Sequence, residues 1–269
     1  MVIDFHTHVF PDKIAKKTID FLAEKSGNAP FSDGTVSGLY GALLNGVVDV
    51  AVALPVLTKP EQFESVLNFV IKINEDFSSG EKKIISFGGI HPACEDIKGK
   101  LKRVKDAGLK GVKIHPDYQN TFIDDDGYIE ILKCAKDLDL IVVTHAGVDC
   151  GYRDCTVKCP PDLTKKVIDK VGHEKFVLAH LGGSEMVKGV LQYLAGEKVY
   201  FDTAYVLKYL KKEEFLSVLD KHGEDRILFA SDFPWSSMDE DFEILKTFVN
   251  DDKVRDKILY KNALSLLGL

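Results

Sequence analysis

The feature that most constrains this chain is a rhythm. Short apolar runs rich in β-branched residues recur along its length: 2–10, 48–55, 84–92, 109–116, 140–147, 175–183, 198–205 and 226–235. Each ends in a polar, Gly or Pro signal, which makes eight strand candidates. They are apolar on both faces, as a parallel sheet covered by helices requires. Their starts lie about 32 residues apart, the length of one strand–helix unit. Helical spacing of apolar residues fills gaps at 61–76, 125–138, 161–171, 184–194 and 211–222. Pro160-Pro161 and Ser184 stand where helix starts favour Pro or a hydroxyl. Gly108, Gly172, Gly196 and Gly223 stand where helix ends favour Gly. Eight units in unbroken alternation predict an α/β fold, a single (β/α)8 TIM barrel forming one domain over residues 1–269. An open doubly wound sheet would carry G-x-G-x-x-G in its first turn, and residues 2–12 contain no Gly.

Charge narrows the partners. The 269 residues hold 35 Lys+Arg against 42 Asp+Glu, a net charge of −7. Nucleic acid and anionic membrane surfaces are not expected, because both demand clustered Lys/Arg. A small acidic molecule remains open, since a pocket can be locally positive on a negative protein. No apolar stretch approaches the roughly 18 residues of a membrane span. The first strand candidate begins at Val2, so no secretory leader is expected. Five scattered Cys point to a reducing cytoplasm rather than a disulfide framework.

The sharpest local signal is His6-Thr7-His8. Side chains two apart in a strand share a face, so both imidazoles project together near the end of the first strand. Two converging neutral imidazoles are half of a transition-metal site. Two buried histidines satisfied by backbone groups would give the same pattern. Other strand ends add to it: His91-Pro92, His115-Pro116, His145 in V-T-H-A-G, His180 in A-H-L-G-G and Asp232 in S-D-F-P-W. In a parallel barrel all of these ends open on one rim, where active sites are built. His173 and His222 follow helices, where a dipole or surface role is expected. For Asp232 the competing role is a helix N-cap.

Taken together, D-F-H-T-H, K-I-H-P, H-A-G, A-H-L-G-G and S-D-F-P-W resemble the amidohydrolase superfamily. The likeness is nearest to the branch that includes aminocarboxymuconate semialdehyde decarboxylase and γ-resorcylate decarboxylase. It implies one divalent metal, zinc by ligand type with manganese as the alternative, held by His6, His8, His145 and Asp232. It also implies an acid/base role for His180. Related proteins are often dimers, so a homodimer is one assembly to expect.

A metal of this kind brings the pKa of a bound water from about 15.7 to near 7. Asp232 can then orient that water and accept its proton, and His180 can shuttle a proton. The expected function is a metal-dependent hydrolase of a small carboxylated compound. The alternative is a non-oxidative decarboxylase or hydratase on the same metal; a barrel that binds without turnover is a third reading. Lys113 shares a face with His115. As an ammonium it could bind a substrate carboxylate or pair with Asp4 or Asp202. In two-metal amidohydrolases the similar lysine is carboxylated and bridges two ions. The loop after His145 carries Arg153, expected as a bidentate carboxylate anchor, and Cys150, Cys155 and Cys159. Their C-x4-C-x3-C spacing matches no common zinc pattern, so packing or substrate contact is expected of them. Tyr205, Phe233 and Trp235 are expected either to form an apolar wall or to pack the barrel end.

Overall fold

The computed structural model describes residues 1–269. Eight parallel strands follow one another around a closed barrel: β1 (Ile3–Thr7), β2 (Val50–Ala53), β3 (Lys83–Ser86 continued by Gly88–Gly89), β4 (Gly111–Ile114), β5 (Ile141–Thr144), β6 (Phe176–Leu178), β7 (Tyr200–Asp202) and β8 (Ile227–Leu228). Closure is direct. The Phe5 N–H donates to the Phe229 carbonyl at 2.9 Å and the His8 N–H to the Phe233 carbonyl at 2.7 Å. The observed strands are shorter than the apolar runs, because the run ends leave the ladder and form the rim.

One irregularity decides where the first strand points its side chains. In β1, Asp4 pairs with Ala51 but Thr7 pairs with Ala53, so three residues of β1 span two of β2. That extra residue flips the alternation. Ile3 and Phe5 pack with Val143 and Val177 from strands that are not neighbours of β1. His6, one residue on, also reaches across to Lys113 of β4. Both parities therefore enter the barrel, apolar below the bulge and metal-binding types above it.

The helices expected at 61–76, 125–138, 161–171 and 211–222 form as Phe63–Phe77, Asp126–Asp137, Pro161–Val171 and Lys212–His222. The expected helix at 184–194 does not start at Ser184. The Ser184 N–H donates to the Ala146 carbonyl and its carbonyl accepts from Val148 N–H, which ties this residue to the β5 loop instead. A short helical turn and the π-helical stretch Val190–Leu194 follow. Helix α1 (Asp12–Ser26) runs between β1 and β2. No helix is long and apolar enough to cross a membrane.

His173 and His222 are not surface groups. Both are buried, and His222 stacks on Phe201 with ring centroids 3.8 Å apart. His173 Nε2 faces the Leu140 carbonyl at 2.9 Å and His222 Nε2 the Val199 carbonyl at 3.1 Å. Burial pushes each imidazole down to about 4. The unfolded chain then binds protons that the fold refuses between roughly pH 6.5 and 4. Stability contributed by the neutral rings is complete above that window and is lost as pH falls through it. We expect urea unfolding to show His222→Gln losing less stability than wild type between pH 7.5 and 4.5, by roughly 2–3 kcal/mol. Equal losses in the two proteins would contradict this.

Candidate active site

His6 and His8 end β1, and Asp232 follows β8 across the barrel seam. The His6 and His8 Nε2 atoms are 3.1 Å apart, and Asp232 Oδ1 lies 3.4 Å from the first and 3.1 Å from the second. The far side of each ring determines the proton. His8 Nδ1 faces the Leu54 carbonyl at 2.8 Å, so it must carry the hydrogen. His6 Nδ1 faces Asp202 Oδ2 at 2.9 Å, with the same result. Both Nε2 atoms are thus bare lone pairs in the neutral rings, and they meet each other and a carboxylate oxygen. Burial holds His6 well below its ordinary pKa. For Asp232, burial pushes the carboxyl up, but His8, His6 and His180 outweigh it and hold the group below its ordinary value. Three acceptors this close fit a divalent cation that takes nitrogen and oxygen donors.

The backbone here is strained where the function would need it. Asp232 has φ 70° and His180 φ 59°, a region that costs a non-Gly residue about 1–3 kcal/mol. Asp232 does not cap a helix. Ser237 does so, accepting from the Glu240 N–H. The Asp232 N–H donates to the His6 carbonyl at 2.9 Å, which brings its side chain back over β1.

Asp202 is the residue that strand-end reasoning underrated. One oxygen receives His6 Nδ1–H; the other accepts from the His180 N–H at 2.9 Å and the Ala204 N–H at 3.1 Å. It is fully buried, and burial raises its pKa against the pull of His180 and Lys113. Its signal in the sequence is an acid at the end of an apolar run, as for Asp232. Lys113, also buried, has Nζ 3.1 Å from His6 Nε2. Burial lowers it to about 8, opposed by Asp202 and Asp232. Asp4 is not its partner; Asp4 accepts from Ser231 and from the backbone of His6 and Ser231.

His145 is not brought into the group formed by His6, His8 and Asp232. Its Nδ1 lies 2.9 Å from His180 Nε2. His180 Nδ1 faces the Ala204 carbonyl at 2.9 Å, so its Nε2 is the acceptor and His145 Nδ1–H the donor. His145 Nε2 is then a bare, buried nitrogen without a hydrogen-bond partner, 3.9 Å from the equally unpartnered Asp117 Oδ2. A second group, His115, His145 and Asp149, also offers donors close together. Its two rings are stacked at 4.3 Å and 9°, so their lone pairs run side by side rather than converge. The Tyr118 N–H points at His115 Nδ1, which leaves His115 Nε2–H facing Asp149 Oδ2 at 3.5 Å. That group is a hydrogen-bonded stack rather than a cation cradle. His91 joins neither group; its Nδ1 accepts from the Ala93 N–H in the following turn.

Above these groups lies a cavity of about 310 Å3. His6, His8, Lys113, His145, His180 and Asp232 line its floor. Tyr205 and Trp235 contribute to its wall, whereas Phe233 is buried in the core and outside the lining. Arg153 is outside the lining, half exposed, with both guanidinium nitrogens on Glu185. Its charge is paired there, away from the cavity that the expected anchor role would need. Lys25 of α1, Tyr118 and Tyr152 line the cavity without having been singled out. Cys150 lines it too, Cys159 is buried against Thr164 and Cys155 is exposed, so the three cysteines occupy different environments.

The profile of the Amidohydrolase family matches residues 85–269. No curated protein matches the chain. Among solved structures, 2,6-dihydroxybenzoate decarboxylase from Rhizobium superposes with a TM-score of 0.72 at 14% identity, over 99% of this chain and 98% of that one. Dihydroxybenzoic acid decarboxylase from Polaromonas sp. JS666, with bound manganese and 2-nitroresorcinol, gives 0.72 at 15%, over 100% and 97%. A probable 2-pyrone-4,6-dicarboxylic acid hydrolase from Acinetobacter baumannii gives 0.70 at 16%, over 100% and 99%.

The two donor groups make opposite predictions. Elemental analysis should return one divalent ion per chain, lost in Asp232→Asn and kept in His115→Gln. Asp202→Asn should weaken the ion's hold about 10–100-fold against a competing chelator. Loss of the ion from His115→Gln alone would move the centre to the second group.

Proposed function

The chain belongs to the amidohydrolase family, and from that premise we propose that it is a metal-dependent hydrolase of a small carboxylated compound. The observation that carries this reading is the meeting of a carboxylate oxygen with two imidazole nitrogens whose rings keep their hydrogens on the far side, with Lys113 the one donor beside them. His6, His8 and Asp232 would hold a divalent ion, which would supply Lewis-acid polarisation and acidify a water toward neutrality, with zinc favoured by the donor types and manganese the alternative. His145, expected as a further donor, stands outside this trio with Nδ1 on His180 and Nε2 beside Asp117, and in this reading it positions His180.

The remaining work falls to this chain's own groups. The second oxygen of Asp232 takes the proton of the attacking water. His180 is neutral in this arrangement, its Nε2 accepting from His145 Nδ1–H, so as the acid it first takes up a proton from solvent at Nε2, displacing that contact, and then passes it to the leaving group. Lys113 holds the substrate carboxylate against the floor as a point charge. Tyr118, Tyr205 and Trp235 exclude water from the apolar body of the substrate. The five free cysteines support a reducing, cytoplasmic setting.

Non-oxidative decarboxylation on the same floor is the second reading. It is favoured by the His145–His180 pair, since a proton delivered from that side can go to a substrate carbon. The similar fold of the two decarboxylases also supports it. Trapping of CO2 against release of a new carboxylate from lactones and amides separates the two readings.

Two variants test the assigned roles. His180→Asn should keep its metal while kcat falls about 10²–10⁴-fold, the usual worth of a positioned acid/base. A variant that loses the ion instead would make His180 a ligand. Lys113→Met should keep one ion and cost about 1.5–3 kcal/mol in kcat/KM, one charge-assisted hydrogen bond. Two ions per wild-type chain, with reactivation that needs bicarbonate, would make Lys113 a carboxylated bridge.

A further inference from the structure

The loop that follows His145 covers one side of the cavity and is tied down along its length only by side chains. Its neck is fixed. The Gly147 N–H donates to the Cys159 carbonyl at 3.0 Å, the Val148 N–H to the Ser184 carbonyl at 3.0 Å, and the Lys158 carbonyl accepts from the Ile123 N–H at 2.9 Å. Gly147 has φ 82°, and a Cβ there would lie 2.3 Å from the Ser184 nitrogen, so the backbones pass too close for another residue. Residues 148–158 leave and re-enter the barrel at one point, as an Ω-loop does. From Asp149 to Val157 no backbone group bonds to the rest of the barrel. The Tyr152 N–H donates to the Asp149 carbonyl and the Cys155 N–H to the Tyr152 carbonyl, both at 2.9 Å and both within the loop.

Side chains make the remaining attachments. Near the neck, Asp149 Oδ2 faces His115 at 3.5 Å, and Cys150 Sγ lies 3.6 Å from the Asn28 amide. Farther out, Lys25, in the last turn of α1, places Nζ 3.2 Å above the centre of the Tyr152 ring, whose other neighbour is the Tyr118 ring at 5.5 Å. Arg153 grips Glu185, the residue after the pinned Ser184, with both guanidinium nitrogens. The two outer contacts stand in water: Lys25 is exposed, and the Arg153 and Glu185 side chains are 55% and 48% exposed. Each such contact contributes little, because water competes for the charges and long side chains must be held still.

The inner side of the loop faces the cavity, where Val148, Asp149, Cys150 and Tyr152 line it. A segment pinned at one point, free of backbone bonds to the barrel and closed at its outer edge by two solvated contacts, has a closed state favoured by a small margin. We propose that residues 149–157 are a lid that pivots at Gly147 and Cys159, with Lys25–Tyr152 and Arg153–Glu185 as its clasp. Opening uncovers the cavity on the α1 side; closing shields the floor from bulk water. That the lid admits substrate rests on the reading of the cavity as the substrate site.

The test reads opening in the metal-loaded protein and needs no substrate. Chymotrypsin cuts after Tyr152 only once that ring has left Lys25. N-ethylmaleimide reaches the cavity-lining Cys150 through the open lid, while the exposed Cys155 reports the reagent's own rate. Lys25→Met and Glu185→Gln should each raise cleavage and Cys150 labelling about two- to fivefold, the scale of one exposed contact of this kind. The double variant should approach the product of the two, since the contacts share no partner. Lys16→Met, which breaks the Lys16–Asp20 pair on the same helix away from the loop, should change neither rate. Cys150 labelling in wild type should also be nearly independent of low urea, because a local opening exposes little new surface. Unchanged rates in both clasp variants, an equal rise in Lys16→Met, or a urea dependence as steep as that of global unfolding would overturn the lid. Failure to release CO2 or hydrolyse any substrate would defeat the proposed function while leaving these rates standing.

Discussion

Two hydrogen bonds on the far sides of His6 and His8 govern what their near sides can do. Leu54 offers a carbonyl and Asp202 a carboxylate, and neither can donate, so each ring keeps its proton on Nδ1. The Nε2 lone pairs are thereby presented to Asp232 and, for His6, to the Lys113 Nζ at 3.1 Å. In a buried site three acceptors this close repel one another unless a cation lies among them, and Lys113 supplies a donor to only one of the three. Much of the surrounding structure serves this arrangement. The bulge in β1 turns both histidines inward, the strained backbone at Asp232 returns its carboxylate over the seam, and Asp202 fixes His6 and the His180 backbone together.

The same logic of committed protons extends outward. His180 gives its Nδ1–H to Ala204 and so must accept from His145, which leaves His145 Nε2 bare beside Asp117. His115 sits between Tyr118 and His145 in a stack of three rings, with centroid separations of 3.8 and 4.3 Å. This column fixes the plane of His145 without competing for a cation. Floor and wall thus divide their work: groups whose protons are placed by buried partners below, and aromatic surface with one free cation above.

Much of the fold was legible, because barrel strands are buried on both faces and stand out as apolar runs at one repeat length. What escaped was local. Alternation in β1 cannot be counted through a bulge, so the shared direction of Phe5 and His6 is invisible in the letters V-I-D-F-H. Ser184 looks like a helix cap, yet its backbone is claimed by Ala146 and Val148, a tertiary contact that overrides the local signal. His6, His8, Asp232, His180 and Lys113 could be picked out because their residue types are unusual at the ends of apolar runs. Arg153 could not be judged, since its partner Glu185 is 32 residues away on a different loop. Lys25 was equally hidden: a lysine in the last turn of an amphipathic helix is ordinary until the Tyr152 ring is placed beneath it.

The central claim is that His6 Nε2, His8 Nε2 and Asp232 Oδ1 surround one divalent cation. Diffraction from crystals of the metal-loaded protein, recorded on both sides of the metal's absorption edge, tests this most directly. The account predicts a single anomalous peak at about 2.0–2.2 Å from all three atoms, as expected for such donors. A peak beside His115 and Asp149 instead, or no peak within bonding distance of His6 and His8, would contradict it.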